Sequence, residues 1–274
     1  MKIYLNGKFI EEEMAQVSLF EPGFLYGQGL FETMRAYNEK IFRLDAHIER
    51  LQRSLPVINM RLDMEARVLK DAVKRCLKEN NLKDCYVRLT AWQGQDNKAN
   101  IAICAKRYNF LKKEDYERGF QVIISSAFRQ NEFSPLVRIK STNYLHLLLA
   151  YQEARKKNAD EALLLNTQGF LAEASRANIF LVKDNCLIVP SLECGCLAGI
   201  TLDTVLGVAK KEKIKIIETK LTPEDIKRCD EAFLTNSLIE IMPLVAIDKR
   251  KIKKGTPGKI TEVLLKRYRQ LVQN

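Results

Sequence analysis

At 274 residues, with 46% hydrophobic and 29% charged side chains and only 12 Gly and 7 Pro, the chain can bury one large core or two modest ones, and its composition excludes disordered and collagen-like classes. A formal charge of +11 invites a polyanion, yet the bases are scattered. Lys112-Lys113, Arg155-Lys156-Lys157 and Lys249-Arg250-Lys251 are short runs with acids close by, as on solvated faces, and no nucleic-acid-binding motif accompanies them. A non-enzymatic polyanion-binding protein is the remote alternative, and no nucleic-acid partner is expected.

Seven cysteines at irregular spacing argue against a disulfide framework and for a reducing compartment. Cys194-Gly195-Cys196 is the one close pair, and with only His47 and His146 in the chain a zinc site lacks ligands at the usual spacing, so no metal is expected. The N-terminal MKIYLNGKFI alternates apolar with polar residues and is no secretion signal; no apolar run approaches the ~20 residues of a membrane span. The reading is a cytoplasmic protein without a membrane partner.

Ile3 to Ile10 reads as a hairpin, because Asn6-Gly7 tolerates the positive φ angles of a type I′ turn. Apolar Leu44, Ile48, Leu51 and Leu55 predict a helix that Pro56 stops, and Met64, Val68, Ala72, Val73, Cys76 and Leu77 predict a second. Strands follow at 85–91 and 101–105. The polar stretch 106–119 reads as a linker, which puts a domain boundary near 115 and gives domains 1–115 and 116–274. Beyond it, strands at 121–126 and 136–140 precede a helix at 142–157 with Leu145, Leu148, Leu149 and Gln152 on one face. Short strands at 161–165, 170–173, 178–182 and 187–189 suggest a barrel-like or sandwich arrangement. Thr201 is expected to cap a helix, a strand at 232–235 leads to a loop, and a helix over 259–272 closes the chain.

A lysine ahead of a helix says little alone, but the order of motifs around Lys140 says more. The segment IKSTNYLHLLLAYQEARKKNADEALLLNTQGFLAEASRANIFLV, residues 139–182, resembles the signature region of fold-type IV pyridoxal-5′-phosphate (PLP) enzymes, the aminotransferase class IV family. The likeness extends to FEPGFLYGQGLFETMRAY and HIERL upstream and to AGIT and FLTNSLIEIMPL downstream. That family includes branched-chain and D-amino acid aminotransferases and aminodeoxychorismate lyase. The resemblance implies a two-domain α/β (α+β) fold: a small N-terminal α/β domain and a larger C-terminal domain with a barrel-like antiparallel sheet, the cofactor lying in the cleft between them. It also implies a homodimer and a small amino-acid-like substrate.

By the same resemblance Lys140 carries PLP as a Schiff base and shuttles protons. Glu173 faces the pyridine nitrogen, whose protonation the electron sink requires. Arg50, the amides of Ile200 and Thr201, the Thr201 hydroxyl, and Asn236 and Ser237 reach the 5′-phosphate, a dianion suited to a guanidinium fork and a helix N-terminus. Tyr144 lines the ring oxygen, although branched-chain enzymes space this tyrosine one residue further on. Phe24, Tyr26 and Phe31 are candidates for pocket wall or for simple core packing. Arg138, two residues before Lys140, leaves the same strand face and either lines the pocket or makes a surface ion pair.

The reaction is less legible. D-amino acid enzymes use an Arg and a His beyond the strand where this chain has TAWQGQDNKAN, residues 90–100, which contains neither, and their tyrosine is replaced by Phe31. Tyr86-Val87-Arg88 offers the Tyr-x-Arg strand of branched-chain enzymes, with Leu89 in place of their usual proline, and Arg88 is the candidate for gripping a carboxylate. FLYGQGLFET, HIERL and TNSLIEIMP most resemble the lyases, as does Thr33 after Phe31-Glu32; Thr33 either assists elimination or is an ordinary β-branched strand residue. The favoured activity is 4-amino-4-deoxychorismate lyase, releasing pyruvate and leaving 4-aminobenzoate, with branched-chain or D-amino acid transamination as the alternative.

Overall fold

The computed structural model describes residues 1–95 and 98–273. The chain forms two compact units, one comprising residues 1–109 and 139–143, the other 110–138 and 144–274.

In the first unit, β1 (Lys2–Leu5) and β2 (Lys8–Glu11) form the expected hairpin, with Asn6 and Gly7 both at positive φ. With β3 (Gly29–Tyr37), β4 (Lys40–Ile41), β5 (Cys85–Gln93) and β6 (Ala99–Lys106) they build an antiparallel sheet in the order β2-β1-β6-β5-β3-β4. Alternation along β3 and β5 sends Met34, Ala36, Val87, Leu89 and Ala91 to one face, where they join Ile48 and Leu51 of α2 (Leu44–Ser54) and Leu69, Val73 and Leu77 of α3 (Ala66–Glu79) in one core. The opposite face carries Phe31, Thr33, Arg88 and Thr90, because Phe31 opposes Thr90 and Thr33 opposes Arg88 in register. A single short turn of helix, α1 (Pro22–Leu25), precedes β3.

The second unit starts with α4 (Lys113–Arg118), inside the stretch expected to be a bare linker. Asp115 accepts from the Lys112 amide and closes the first turn, a local signal that polar composition conceals. Next come β7 (Phe120–Gln130), α5 (Leu145–Lys156), β8 (Glu161–Asn166), β9 (Leu171–Ala174), β10 (Asn178–Lys183), β11 (Cys186–Pro190) and α6 (Ile200–Lys211). They are followed by β12 (Ile216–Thr219), α7 (Pro223–Arg228), β13 (Glu231–Asn236), β14 (Glu240–Ile247), β15 (Arg250–Lys251) and α8 (Lys259–Gln273). The nine strands make one sheet, β12-β11-β10-β13-β14-β7-β8-β9 with β15 on β14. The expected mixed α/β class with a strongly curled, half-barrel sheet holds. Within it β11–β12, β14–β7 and β7–β8 run parallel, as helical crossovers permit. Curling returns β9 to the far end of the sheet, where Leu171 N donates to Leu221 O.

Four local expectations change. Residues 136–140 are not a strand: Pro135–Arg138 forms a 3₁₀ turn opened by Ser134, whose hydroxyl accepts from Leu136 N. Arg138 is therefore not on a strand face with Lys140, and its side chain is exposed. The helix after AGIT has Gly199, not Thr201, at its N-cap; Thr201 lies inside the first turn and is buried. On α5 the buried residues are Leu147, Ala150 and Ala154, which pack on Ile123, Ala162 and Leu164, while Leu145, Leu148 and Leu149 face outward. Close approach of a helix to a sheet selects small side chains, so the leucine stripe marked the wrong face.

Ala150 is fully buried against β7 and β8. Ala150→Leu is expected to lower unfolding free energy by about 1–3 kcal/mol through overpacking, measured by urea denaturation.

Candidate active site

In the first unit the lysine-bearing segment is hydrogen-bonded to the start of β3. Phe31 N donates to Lys140 O and Thr142 N to Gly29 O, each at 2.9 Å, so Leu30 and Ser141 form an antiparallel bridge. Thr142 Oγ1 and Asn143 Nδ2 donate to Gly27 O at 2.7 and 3.0 Å. Gly27 has φ +65°, and a Cβ at Gly29 would lie 2.9 Å from both Ala91 O and Thr142 Oγ1, so the glycines of YGQG are geometric necessities. Lys140 Nζ is 4.5 Å from the Phe31 ring centroid, and the Arg88 guanidinium is 4.0 Å from the same ring with its Nε donating to Thr90 Oγ1. Phe31, Arg88 and Lys140 thus come together, with Thr33 beside Arg88. Tyr26 and Phe24 lie on the exposed surface of this unit.

Arg50 is buried, and its fork is engaged: Nε donates to Glu32 Oε1 at 2.8 Å and Nη2 to Glu32 Oε2 at 2.6 Å. His47 Nδ1, one turn earlier on α2, is 2.6 Å from Glu32 Oε2. Glu32 is 1% exposed. Burial pushes its carboxyl up, but the Arg50 charge and the hydrogen bonds from Arg50 and His47 outweigh it and hold the group at about 2. Burial also lowers His47, overcoming the pull of Glu32, so the ring is neutral and donates through Nδ1. Sequence reading missed Glu32 as the orienting partner of Arg50; its signal is an acid facing the core side of a strand, as the alternation of β3 dictates.

In the second unit Glu173, buried on β9, accepts from Gln130 Nε2 at 2.7 Å and from the Leu197 amide at 3.1 Å. Tyr144 donates its hydroxyl to Ser175 O at 2.9 Å. Asn236 Nδ2 donates to Arg176 O, while its Oδ1 accepts from Leu238 N and Ile239 N, which shapes the turn holding Ser237. Residues 175 and 176 are themselves anchored by buried Glu161, which accepts from Ser175 Oγ, from Ala162 N at 2.9 Å and from Arg176 Nε at 3.1 Å; the Arg176 guanidinium stacks 3.4 Å above Tyr151. At α6, no side chain caps the N-terminal amides of Ile200 and Thr201, and a Cβ at Gly199 would collide with Asn178 Oδ1. Thr235 opposes Asn178 in register and so shares its face; its buried hydroxyl has no hydrogen-bond partner among the described residues.

Taken unit by unit, these groups suit a phosphorylated pyridine aldehyde. The first unit offers a lysine amine of the kind an aldehyde takes up; the second offers a buried carboxylate that accepts hydrogen bonds, as a ring nitrogen requires, and a helix N-terminus with no side-chain cap among the described residues and an orphaned hydroxyl beside it, as a phosphate requires. The sequence model of the amino-transferase class IV family matches residues 29–247, and the chain belongs to that family, whose members are PLP-dependent enzymes. A putative branched-chain-amino-acid aminotransferase of Methanocaldococcus jannaschii is 38% identical, covering 99% of this chain and 96% of its own length. The Bacillus subtilis aminodeoxychorismate lyase is 32% identical over 99% and 95%. Among solved structures, the branched-chain aminotransferase of the thermophilic archaeon Thermoproteus uzoniensis with norvaline superposes with a TM-score of 0.93 at 35% identity, over 99% of this chain and 94% of that one.

Because Glu32 sits below its ordinary 4.5 in the fold, its contribution is full above that value and fades as pH falls toward 2. Glu32→Gln, which leaves the Arg50 charge buried and unneutralised, is expected to cost about 3–5 kcal/mol at pH 7. It should also flatten the decline in urea midpoint between pH 5 and 2; an unchanged acid limb would remove Glu32 from the stability balance.

Proposed function

We propose that the protein transfers the amino group of a branched-chain amino acid to a 2-oxo acid, with Lys140 as the cofactor-bearing and proton-shuttling residue. The observation that carries this reading is the cluster on one face of the first unit, where the Arg88 guanidinium and the Lys140 amine both lie against the apolar ring of Phe31. Arg88 offers a carboxylate a cation, and Phe31 offers an aliphatic side chain a dry surface. The lyase reading favoured by FLYGQGLFET and Thr33 is less well supported, since relatives and solved structures named as branched-chain aminotransferases match more strongly than the lyase.

When bound, PLP supplies an electron sink for bond changes at the substrate's α-carbon. Lys140 would hold the cofactor through its amine and, when that amine is free, would take and return a proton at the substrate's α-carbon. Glu173, kept ionised by the Gln130 and Leu197 N–H groups, keeps the ring nitrogen protonated. For the phosphate, the first unit's candidate ligand is Arg50, oriented by Glu32, and the second unit's are the amides of Ile200 and Thr201, the Thr201 hydroxyl, Asn236 and Ser237. Tyr144, whose single hydroxyl proton goes to Ser175 O, faces the ring oxygen only by accepting or by surrendering that bond. Thr33, Phe31 and Tyr26 border the substrate.

Purified protein should show a visible absorption band with PLP that Lys140→Ala abolishes. Leucine and 2-oxoglutarate should give glutamate. Release of 4-aminobenzoate and pyruvate from aminodeoxychorismate without a keto-acid acceptor, with no transfer from leucine, would reinstate the lyase.

We further propose a homodimer in the cytoplasm. All seven cysteines are unpaired thiols, and no helix among the described residues is long and apolar enough to cross a membrane. Leu19, Phe20, Phe24, Leu25 and Tyr26 form a run of large apolar side chains 51–74% exposed, more than water-facing positions ordinarily carry. Sedimentation should give a dimer that Phe20→Asp weakens; an active monomer would reject it.

A further inference from the structure

The Glu173 carboxylate is held by a chain of hydrogen bonds that the mechanism above does not use in full. Gln130, the last residue of β7, is 3% exposed, and its amide lies between two side chains: Nε2 is 2.7 Å from Glu173 Oε1, and Oε1 is 3.2 Å from His146 Nε2 on α5. The direction of the chain follows from chemistry. An ionised carboxylate has no proton to give, so the NH₂ end of Gln130 must face Glu173. Its carbonyl then has to accept, and His146 presents an Nε2–H. Each donor thereby fixes the next: imidazole N–H to amide oxygen, amide N–H to carboxylate. The other carboxylate oxygen meets the Leu197 amide at 3.1 Å, so the group accepts N–H bonds at both oxygens. Donors of this kind favour the charged form.

Gln130 on β7 and Glu173 on β9 are 43 positions apart and flank β8 in the sheet, so the contact is a product of strand order and not of local chain geometry.

We propose that Gln130 and His146 are positioning residues that keep Glu173 ionised and aimed, and so set how strongly the cofactor ring withdraws electrons. The proposal rests on the reading that Glu173 serves the ring nitrogen. It assigns neither residue a contact with substrate or cofactor.

The deciding variant is Gln130→Glu, nearly isosteric but an acid in place of the amide donor. Two carboxyl groups at hydrogen-bond distance share a proton, so Glu173 should spend part of its time neutral. Three measurements on the folded variant, its melting temperature recorded alongside, are expected to separate. Affinity for PLP, titrated by absorbance into cofactor-free protein, should stay within about threefold because the phosphate contacts are elsewhere, whereas the absorption band of bound cofactor should acquire a new pH dependence. The kcat should fall roughly 10–100-fold with KM little changed, the scale seen when outer-shell partners of reactive groups are removed. His146→Leu should give a smaller effect in the same direction, and His146→Gln, which restores an N–H donor, should recover it. If Gln130→Glu does not fold, Gln130→Asn, which withdraws the donor from Glu173 by one methylene, carries the same readouts. A wild-type spectrum, pH profile and kcat in the Gln130 variant, while Glu173→Gln impairs all three, would overturn the proposal alone. Wild-type behaviour in Glu173→Gln as well would overturn the assignment of Glu173 and the proposal with it.

Discussion

Two backbone hydrogen bonds, Phe31 N to Lys140 O and Thr142 N to Gly29 O, fix the lysine-bearing segment on which the arrangement of the first unit turns. Lys140 belongs to a five-residue stretch, 139–143, that joins a unit otherwise complete by residue 109. Such a short segment has no core of its own, so it is held by what it borrows from the unit: Ile139 is buried in the unit's core, and the pairing with β3 fixes the residues that follow. Much around it serves that pairing: Gly27 turns the chain at positive φ to offer its carbonyl to Thr142 and Asn143, Gly29 admits the close approach, and Phe31 fills the space beneath the lysine amine. The strand that positions Lys140 also carries Thr33 and, through its neighbour β5, Arg88, so the lysine amine and the proposed substrate cation are set by one sheet register.

The same strand turns its other face to a buried charge cluster. Glu32, His47 and Arg50 are costly to bury, and the cost is offset only because each is matched by another with short hydrogen bonds. The cluster ties α2 to β3, so Arg50 is not a flexible surface arginine. Its guanidinium plane is fixed before any ligand arrives, and pre-organisation of this kind lowers the entropy lost on binding an anion.

Much of this was legible in the sequence where a periodicity or a turn residue carried it. The hairpin at Asn6-Gly7, the helices at 44–54 and 66–79 and strands β8 to β11 and β13 follow from spacing, whereas β12, β14 and β15 were not anticipated. What escaped has physical reasons. Pro135 and Ser134 turned an apolar stretch into a 3₁₀ turn, and alanines, not leucines, marked the buried face of α5. The partners Glu32–Arg50 and Gln130–Glu173 are 18 and 43 positions apart, and no spacing rule joins residues that only a finished sheet brings together. Reaction type was hardest, because lyases and transaminases share the apparatus for the cofactor and differ in a few side chains on β3 and β5.

The Glu161 anchor has an evolutionary consequence. Its carboxylate holds Ser175 and Arg176, whose carbonyls in turn hold Tyr144 and Asn236, while Arg176 rests on Tyr151. Losing the arginine alone strands a buried negative charge; losing the glutamate alone frees a cation among residues it would disturb. Positions 151, 161 and 176 are therefore expected to drift as a set, and a homologue that changes one of them should be read for a compensating change in the other two before its catalytic residues are compared with these.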